Sequence, residues 1–379
     1  MPTESHRTDL DDLRDAVRGF LQVHSPSAAV RTVMETPLGH DPSVWRALAG
    51  ELGIVGIAVP EEFGGAGAGM RELAVVFEEA GAALLCAPLL ATAGLAVPAL
   101  LASGDRAAMA DLLPGIVAGS TIATVILNDA LTPWDPHTVT LAARRSGDGY
   151  RVAGSVATVL DGHSADVLLV AARTDAGISL FAVAGDAPGL DRSPLAGLDR
   201  TRRTARLRFD DVPARLIGAD GAAAPWLAHS YDLALVALAA EQVGAAQRCL
   251  DMAVDYAKNR IQFGRPIGSF QAIKHRCADM LVAVEGARSA ALHAAAVADR
   301  PEGKDLAVAA SVAKLAASDA FWQAALDNMR THGGIGFTWE HDAHLYVRRA
   351  KTTQLMFGSP DTHALRLAAL IDDPRKDTA

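Results

Sequence analysis

The stretch from residue 229 to 259, HSYDLALVALAAEQVGAAQRCLDMAVDYAKN, holds one glycine and no proline, and it narrows sharply what this chain can become. A helix of that length runs roughly 45 Å, and its apolar face needs equally long helices to cover it. Residues 277–299 and 303–332 have the same texture. The spacing predicts a C-terminal helical bundle, of the four-helix kind, over residues 223–379.

Residues 1–118 also read as helical. DLDDLRDAVRGFLQVH has apolar residues at helical spacing, SVWRALAGELG offers Ser43 as an N-cap, and RELAVVFEEAGAALL follows the glycine-rich turn EEFGGAGAG. Residues 119–222 change character. TIATVIL, HTVTLAARR, YRVAGSVATVL, DVLLVAAR, ISLFAVA and TARLRF are short β-branched runs separated by turns such as GDG and TDAG. These predict an antiparallel sandwich or barrel. The expected fold class is therefore α+β, mainly α, in the order helical domain, β domain, helical bundle. No internal repeat interrupts it, and the polar tail IDDPRKDTA is expected to fray.

Half of the 379 residues are apolar and only 5% are aromatic, which suits tightly packed Ala, Leu and Val helices. A net charge of −9 argues against nucleic acid, which needs a basic stripe. Cys86, Cys249 and Cys277 are few and far apart, so neither a disulfide framework nor a metal site is expected. The N-terminus MPTESHRTDLDDL lacks an apolar signal core, and Pro88, Gly94 and Pro98 interrupt the apolar run 82–102. A cytoplasmic protein that does not span a membrane is the expectation.

Three local sequences add a sharper constraint. Residues 53–65 read GIVGIAVPEEFGG, 260–280 read RIQFGRPIGSFQAIKHRCADM, and 332–351 read HGGIGFTWEHDAHLYVRRAK. In this order and at these separations the chain resembles the acyl-CoA dehydrogenase family, most specifically over 240–351, moderately over 40–120, and poorly in the middle. The resemblance implies FAD held at a subunit interface, tetramers or dimers, and α,β-desaturation of an acyl-CoA thioester. A carboxylate takes the α-proton while hydride passes to the flavin.

A pyrophosphate needs fixed cations and close backbone approach. Arg260 offers a guanidinium for its oxygens. The resemblance puts Phe263 and Gln271 at the adenine end of a neighbouring subunit's flavin. Gly333, Gly334 and Gly336 make a turn on which the backbone can lie against the cofactor. Ser359 and Asp361, in TTQLMFGSPDTH, fall where the family places contacts to the adenosine part of FAD, although the side chains differ.

The catalytic base is the open question. Many family members carry a glutamate just before the glycine of that segment, where this chain has Phe357. A second branch places it ten residues before the position of Gly244, where this chain has Ala234. Glu241 remains on that helix, and it and Gln242 are the only polar side chains from Leu233 to Ala246. A desolvated carboxylate there has a raised pKa, as a base for a weakly acidic proton requires. The other reading makes Glu241 and Gln242 a polar stripe between helices. Asp232 is the reserve base.

In the middle domain, VILNDALTPWD stands where the family has a TEPGAGSD-like turn, and Thr158 stands in place of the aromatic beside the flavin ring, with Trp134 as a possible substitute. These departures resemble an actinobacterial-type branch that includes heteromeric sterol side-chain dehydrogenases. Two assemblies follow as alternatives. The chain is either a complete dehydrogenase using Glu241, or a non-catalytic or half-site partner of an unlike dehydrogenase subunit. An oxidase or monooxygenase on the same fold is a further alternative. The small Ala234, Ala237 and Ala240 leave room for a wide acyl group, and an electron-transfer flavoprotein is the expected electron acceptor.

Overall fold

The computed structural model describes residues 4–300 and 305–372. Six helices come first: α1 (Glu4–His24), α2 (Ser27–Val33), α3 (Pro42–Gly50), α4 (Met70–Ala82), α5 (Val97–Ser103) and α6 (Arg106–Val117). Seven strands follow: β1 (Ala123–Ile126), β2 (Ala142–Ser146), β3 (Gly149–Leu160), β4 (Val167–Thr174), β5 (Gly177–Ala184), β6 (Leu190–Pro194) and β7 (Thr204–Ile217). Then α7 (Ala224–Asn259) leads into the hairpin β8 (Ile261–Gln262) and β9 (Arg265–Pro266). The chain ends with α8 (Gln271–Ala298), α9 (Leu306–His332), α10 (Ala343–Leu355) and α11 (Pro360–Ile371). Helices dominate, with a strand layer in the middle of the chain, as the α+β expectation required.

Compactness does not follow the linear order. One unit joins Met1–Arg31, Ala74–Leu85 and Leu235–Ala379, and the other joins Thr32–Leu73 and Cys86–Ala234. The N-terminal helices are therefore divided between the two.

In the strand-bearing unit, β4, β2, β3, β7 and β5 pair in turn, and β5 pairs back to β4, so the ladder closes into a barrel. Strand β1 adds to β4, and β6 to β7. The 14-residue β7 makes this possible: Thr204–Ala214 pairs with β3, while Arg215–Ile217 reaches β5. The GDG turn puts Gly147 at φ 60°, which suits the tight reversal between β2 and β3. Three sequence expectations need correction. Pairing is not wholly antiparallel, because β1 and β2 both meet β4 in parallel. HTVTLAARR becomes strand only from Ala142, since Asp135 caps a 3-10 turn over Pro136–Thr138. The cap of α3 is Asp41, whose carboxylate accepts from the Ser43 N–H, with Pro42 opening the helix. Strand β6, LDRSP, is too polar to have been read as a strand.

In the other unit, α4 crosses α7 with backbone against backbone. An added Cβ on Gly244 would collide with the carbonyl of Glu78, and one on Gly81 with the carbonyl of Glu241. Glycine on both helices lets them meet at this distance. Arg14 and Arg18 of α1 and Arg288 of α8 converge on the carboxylates of Glu78 and Glu79 of α4. Behind them, α9 packs against α8, α10 and α11, and its Ala309, Ala313, Ala317, Ala320 and Ala324 are all buried. Helix α8 is long and apolar enough to cross a membrane, yet only 39% of its apolar window is buried. Leu281, Val282 and Leu292 are exposed on it. A helix so apolar and so open is suited to a subunit contact. Residues 373–379 of the tail lie outside the described residues.

Candidate functional site

At the end of α7 the backbone N–H of Arg260 still donates to the Tyr256 carbonyl at 2.8 Å, and the chain then reverses in the β8–β9 hairpin. Its two central residues are Phe263 at φ 54° and Gly264 at φ 75°. Two positive φ values define a type I′ turn, where a bulky first residue is strained. Phe263 is also 90% exposed, with only an edge contact to Phe270 at 6.0 Å. A strained aromatic in solvent is unfavourable twice over for this chain alone. Arg260 is exposed and has no ion pair among the described residues, and Gln271 is exposed at the start of α8.

The second motif lies next to the first. Tyr256 packs on His332, ring centroids 4.3 Å apart, and His332 packs on His341 at 4.1 Å. His332 immediately precedes the glycine turn. Each glycine there has a different reason. Gly333 sits at φ 63°, and Gly336 is buried with no room for a Cβ beside the Met329 carbonyl. Gly334 is exposed, has no positive φ, and faces open space. Folding of this chain does not demand glycine at 334, and the open backbone there leaves room for a flat ligand. An unpaired arginine, an uncovered aromatic and an open backbone shelf on one unit fit a dinucleotide such as FAD.

Ser359 and Asp361 are placed differently. The Ser359 hydroxyl caps α11, accepting from the Thr362 N–H at 3.3 Å, and Asp361 is exposed in that helix's first turn. In the strand-bearing unit, the Thr158 carbonyl accepts from the Ala130 N–H, and Trp134 is half-buried in the loop between β1 and β2.

Glu241 is 4% exposed, and its Oε1 lies 3.0 Å from Nη1 of Arg349, itself 1% exposed. Gln242, beside it, exchanges hydrogen bonds with the Ser318 hydroxyl at 3.1–3.2 Å. Asp232 is buried further back on α7. Phe357 is buried at φ 59°, and Gly358 follows at φ 101°.

Three groups around that turn escaped the sequence reading. Lys314 of α9 is wholly buried, and its Nζ donates to the Ser318 hydroxyl at 2.8 Å and to the carbonyls of Thr353 at 2.9 Å and Gln354 at 3.2 Å. Burial pushes its ammonium down to about 7. His363 of α11 is also wholly buried, and its Nε2–H donates to the Phe357 carbonyl at 2.9 Å. Burial, then the Lys314 charge, pushes His363 down to about 4, so the ring is neutral and its Nδ1 is left without a partner. Arg349 is the third group. Lys314 and Arg349 are charged residues at helical spacing among buried ones (Lys314 between Ala310 and Ala317, Arg349 between Tyr346 and Thr353), which is the signal that would have found them, whereas His363 is the one buried residue of α11 and has no such pattern.

A cavity of about 920 Å³ lies elsewhere in this unit, over the Arg14, Arg18, Arg288, Glu78 and Glu79 cluster. It shares no residue with the hairpin or the glycine turn, and its charged floor is already paired.

Comparison with known proteins follows the same outline. The acyl-CoA dehydrogenase N-terminal domain model matches residues 7–120, and the C-terminal domain model matches residues 232–371. The acyl-CoA dehydrogenase IpdE2 of Mycobacterium tuberculosis is 38% identical over 348 residues, covering 92% of each chain. Among solved structures, a variant of the Tcur3481–Tcur3483 steroid ACAD superposes with a TM-score of 0.84 at 34% identity, covering 97% of this chain and 99% of that one. The ChsE4–ChsE5 complex of M. tuberculosis gives 0.87 at 29% identity, covering 98% of each.

Proposed function

Because this chain belongs to the acyl-CoA dehydrogenase family, we propose that it works as one of two unlike subunits, carrying a flavin-gripping face while its partner supplies the base. The family oxidises acyl-CoA thioesters with FAD, and the chain is an FAD-dependent acyl-CoA dehydrogenase in that sense. Bound FAD supplies the two-electron acceptor for the β-hydrogen.

The observation that carries the half-site reading is the buried pair Glu241–Arg349. A base must become protonated in each turnover, and protonating Glu241 would weaken its 3.0 Å ion pair with the buried Arg349. Phe357 and Ala234, at the family's two base positions, have no group that accepts a proton. Arg260, Phe263, Gln271, Gly333 and Gly334 have the exposure that a flavin-gripping face requires, and the buried Gly336 lets the turn close. The likeness to two structures whose names join two proteins supports an unlike partner. The steroid substrate class named for one of them, with the small buried Ala234, Ala237 and Ala240, favours a bulky acyl-CoA. An electron-transfer flavoprotein as acceptor and a cytoplasmic setting complete the reading.

The second reading keeps the base in this chain, at Glu241 or in reserve at Asp232. It is favoured by the burial of a carboxylate in an otherwise apolar stretch of α7. Expression alone and with the unlike subunit separates the two. The half-site reading expects little flavin absorbance alone and about one FAD per two chains on co-expression. A chain that purifies alone with one FAD per chain and desaturates acyl-CoA would overturn it.

A further inference from the structure

Two basic side chains from different helices hold the backbone around Phe357, and neither faces water. Lys314 spends its three donors on the Ser318 hydroxyl and on the carbonyls of Thr353 and Gln354, which end α10. Those are carbonyls that a helix C-terminus leaves without intrahelical partners. Two residues on, the chain enters consecutive left-handed conformations at Phe357 and Gly358. For phenylalanine this backbone is strained and persists only where its surroundings fix it. The fixing group is His363, whose Nε2–H holds the Phe357 carbonyl, while Ser359 between them caps the next helix. The segment from Thr353 to His363 is thus pinned near both ends by buried basic side chains.

A buried lysine is an expensive way to end a helix, because an exposed side chain or water satisfies the same carbonyls more cheaply. It is retained where the precise path of the chain matters. We propose that Lys314 and His363 are positioning residues that clamp the Met356–Phe357–Gly358 turn in the shape the flavin and thioester meet. This rests on the family membership behind the proposed function, by which Phe357 occupies one of the two base positions. The clamp acts through backbone carbonyls, so it works whether position 357 carries a base or, as here, a phenyl ring. It fixes where the Phe357 side chain and the following glycine stand, and so the shape of the wall this chain offers to FAD and acyl-CoA.

The test uses the full assembly with its partner subunit. His363→Leu removes the donor, His363→Gln keeps an N–H donor, and Lys314→Met removes the helix-end contacts. The expected result is that His363→Leu retains FAD and KM while kcat falls roughly ten- to a hundred-fold, as for a small misplacement near the reacting groups. The visible flavin band and its shift on adding an acyl-CoA should change in parallel, and His363→Gln should restore both. Should Lys314→Met fail to fold, the two His363 variants still decide. A His363→Leu assembly with unchanged kcat and flavin spectrum overturns the clamp, as does a His363→Gln assembly no better than the leucine variant. A wild-type assembly without FAD overturns the proposed function instead.

Discussion

Glu241 and Arg349 lie 3.0 Å apart, Oε1 to Nη1, joining α7 to α10 where water does not reach. A pair so deeply buried gains little net stability, because desolvation of both charges offsets their attraction. Breaking it is another matter, since the remaining charge loses a close buried counter-charge. The pair therefore separates a structural carboxylate from a catalytic one by experiment.

Glu241→Gln alone should destabilise the protein by about 3–5 kcal/mol, because it removes one charge of a buried pair. The double variant Glu241→Gln with Arg349→Met should recover most of that loss, a coupling that a denaturation cycle measures directly. In the assembled enzyme the double variant should keep desaturase activity. A folded, flavin-loaded double variant with no turnover would return Glu241 to the role of base.

The crossing of α4 and α7 gives a second, independent expectation. Gly244→Ala gains about 1 kcal/mol of helix propensity. The new methyl group meets the Glu78 carbonyl, which is backbone and cannot swing aside. Overpacking of this kind costs about 3 kcal/mol, so the variant should be less stable by roughly 2 kcal/mol. A melting temperature at or above wild type would mean that the helices part easily.

Long helices and the two turns that join them were legible because they are written locally. Helical spacing without breakers marks α7, α8 and α9, and the FGRPIGSFQ and HGGIG sequences carry their own turn chemistry. Barrel closure was not legible, because it depends on β7 changing partners at Arg215, and no local pattern marks that residue. Helix phase hid the polar core. Arg348 and Arg349 are neighbours in sequence, but Arg348 stacks on Trp339 at 4.6 Å while Arg349 turns inward to Glu241. A shift of one residue, 100° around the helix, separates a surface cation from a buried one.

Acid should weaken the protein in part through His363. Its folded value of about 4 lies below the ordinary 6.5, so the unfolded chain binds the proton first as pH falls. Its contribution is complete above 6.5, declines from there to about 4, and reaches about 3 kcal/mol. Urea midpoints at pH 7.5 and 4.5 should therefore fall further for wild type than for His363→Gln. Parallel losses in the two proteins would assign the acid sensitivity to other groups.

Phe263 offers the sharpest test of the flavin-gripping face, because folding and function pull it in opposite directions. In the isolated chain its side chain contributes almost no packing, and its backbone occupies the left-handed region. Phe263→Asn creates Asn-Gly at the centre of a type I′ turn, the pairing that this geometry favours most. The strain relieved is on the order of 1 kcal/mol, so the chain's melting temperature should rise or hold. Stacking and shielding at the cofactor are lost at the same time, and FAD affinity in the assembly should drop about tenfold or more, equivalent to about 1.4 kcal/mol. Titration of FAD into the apo-assembly, beside a thermal melt of the chain alone, measures both. A variant that binds FAD as tightly as wild type would show that the hairpin's exposed phenyl ring serves some surface other than the flavin.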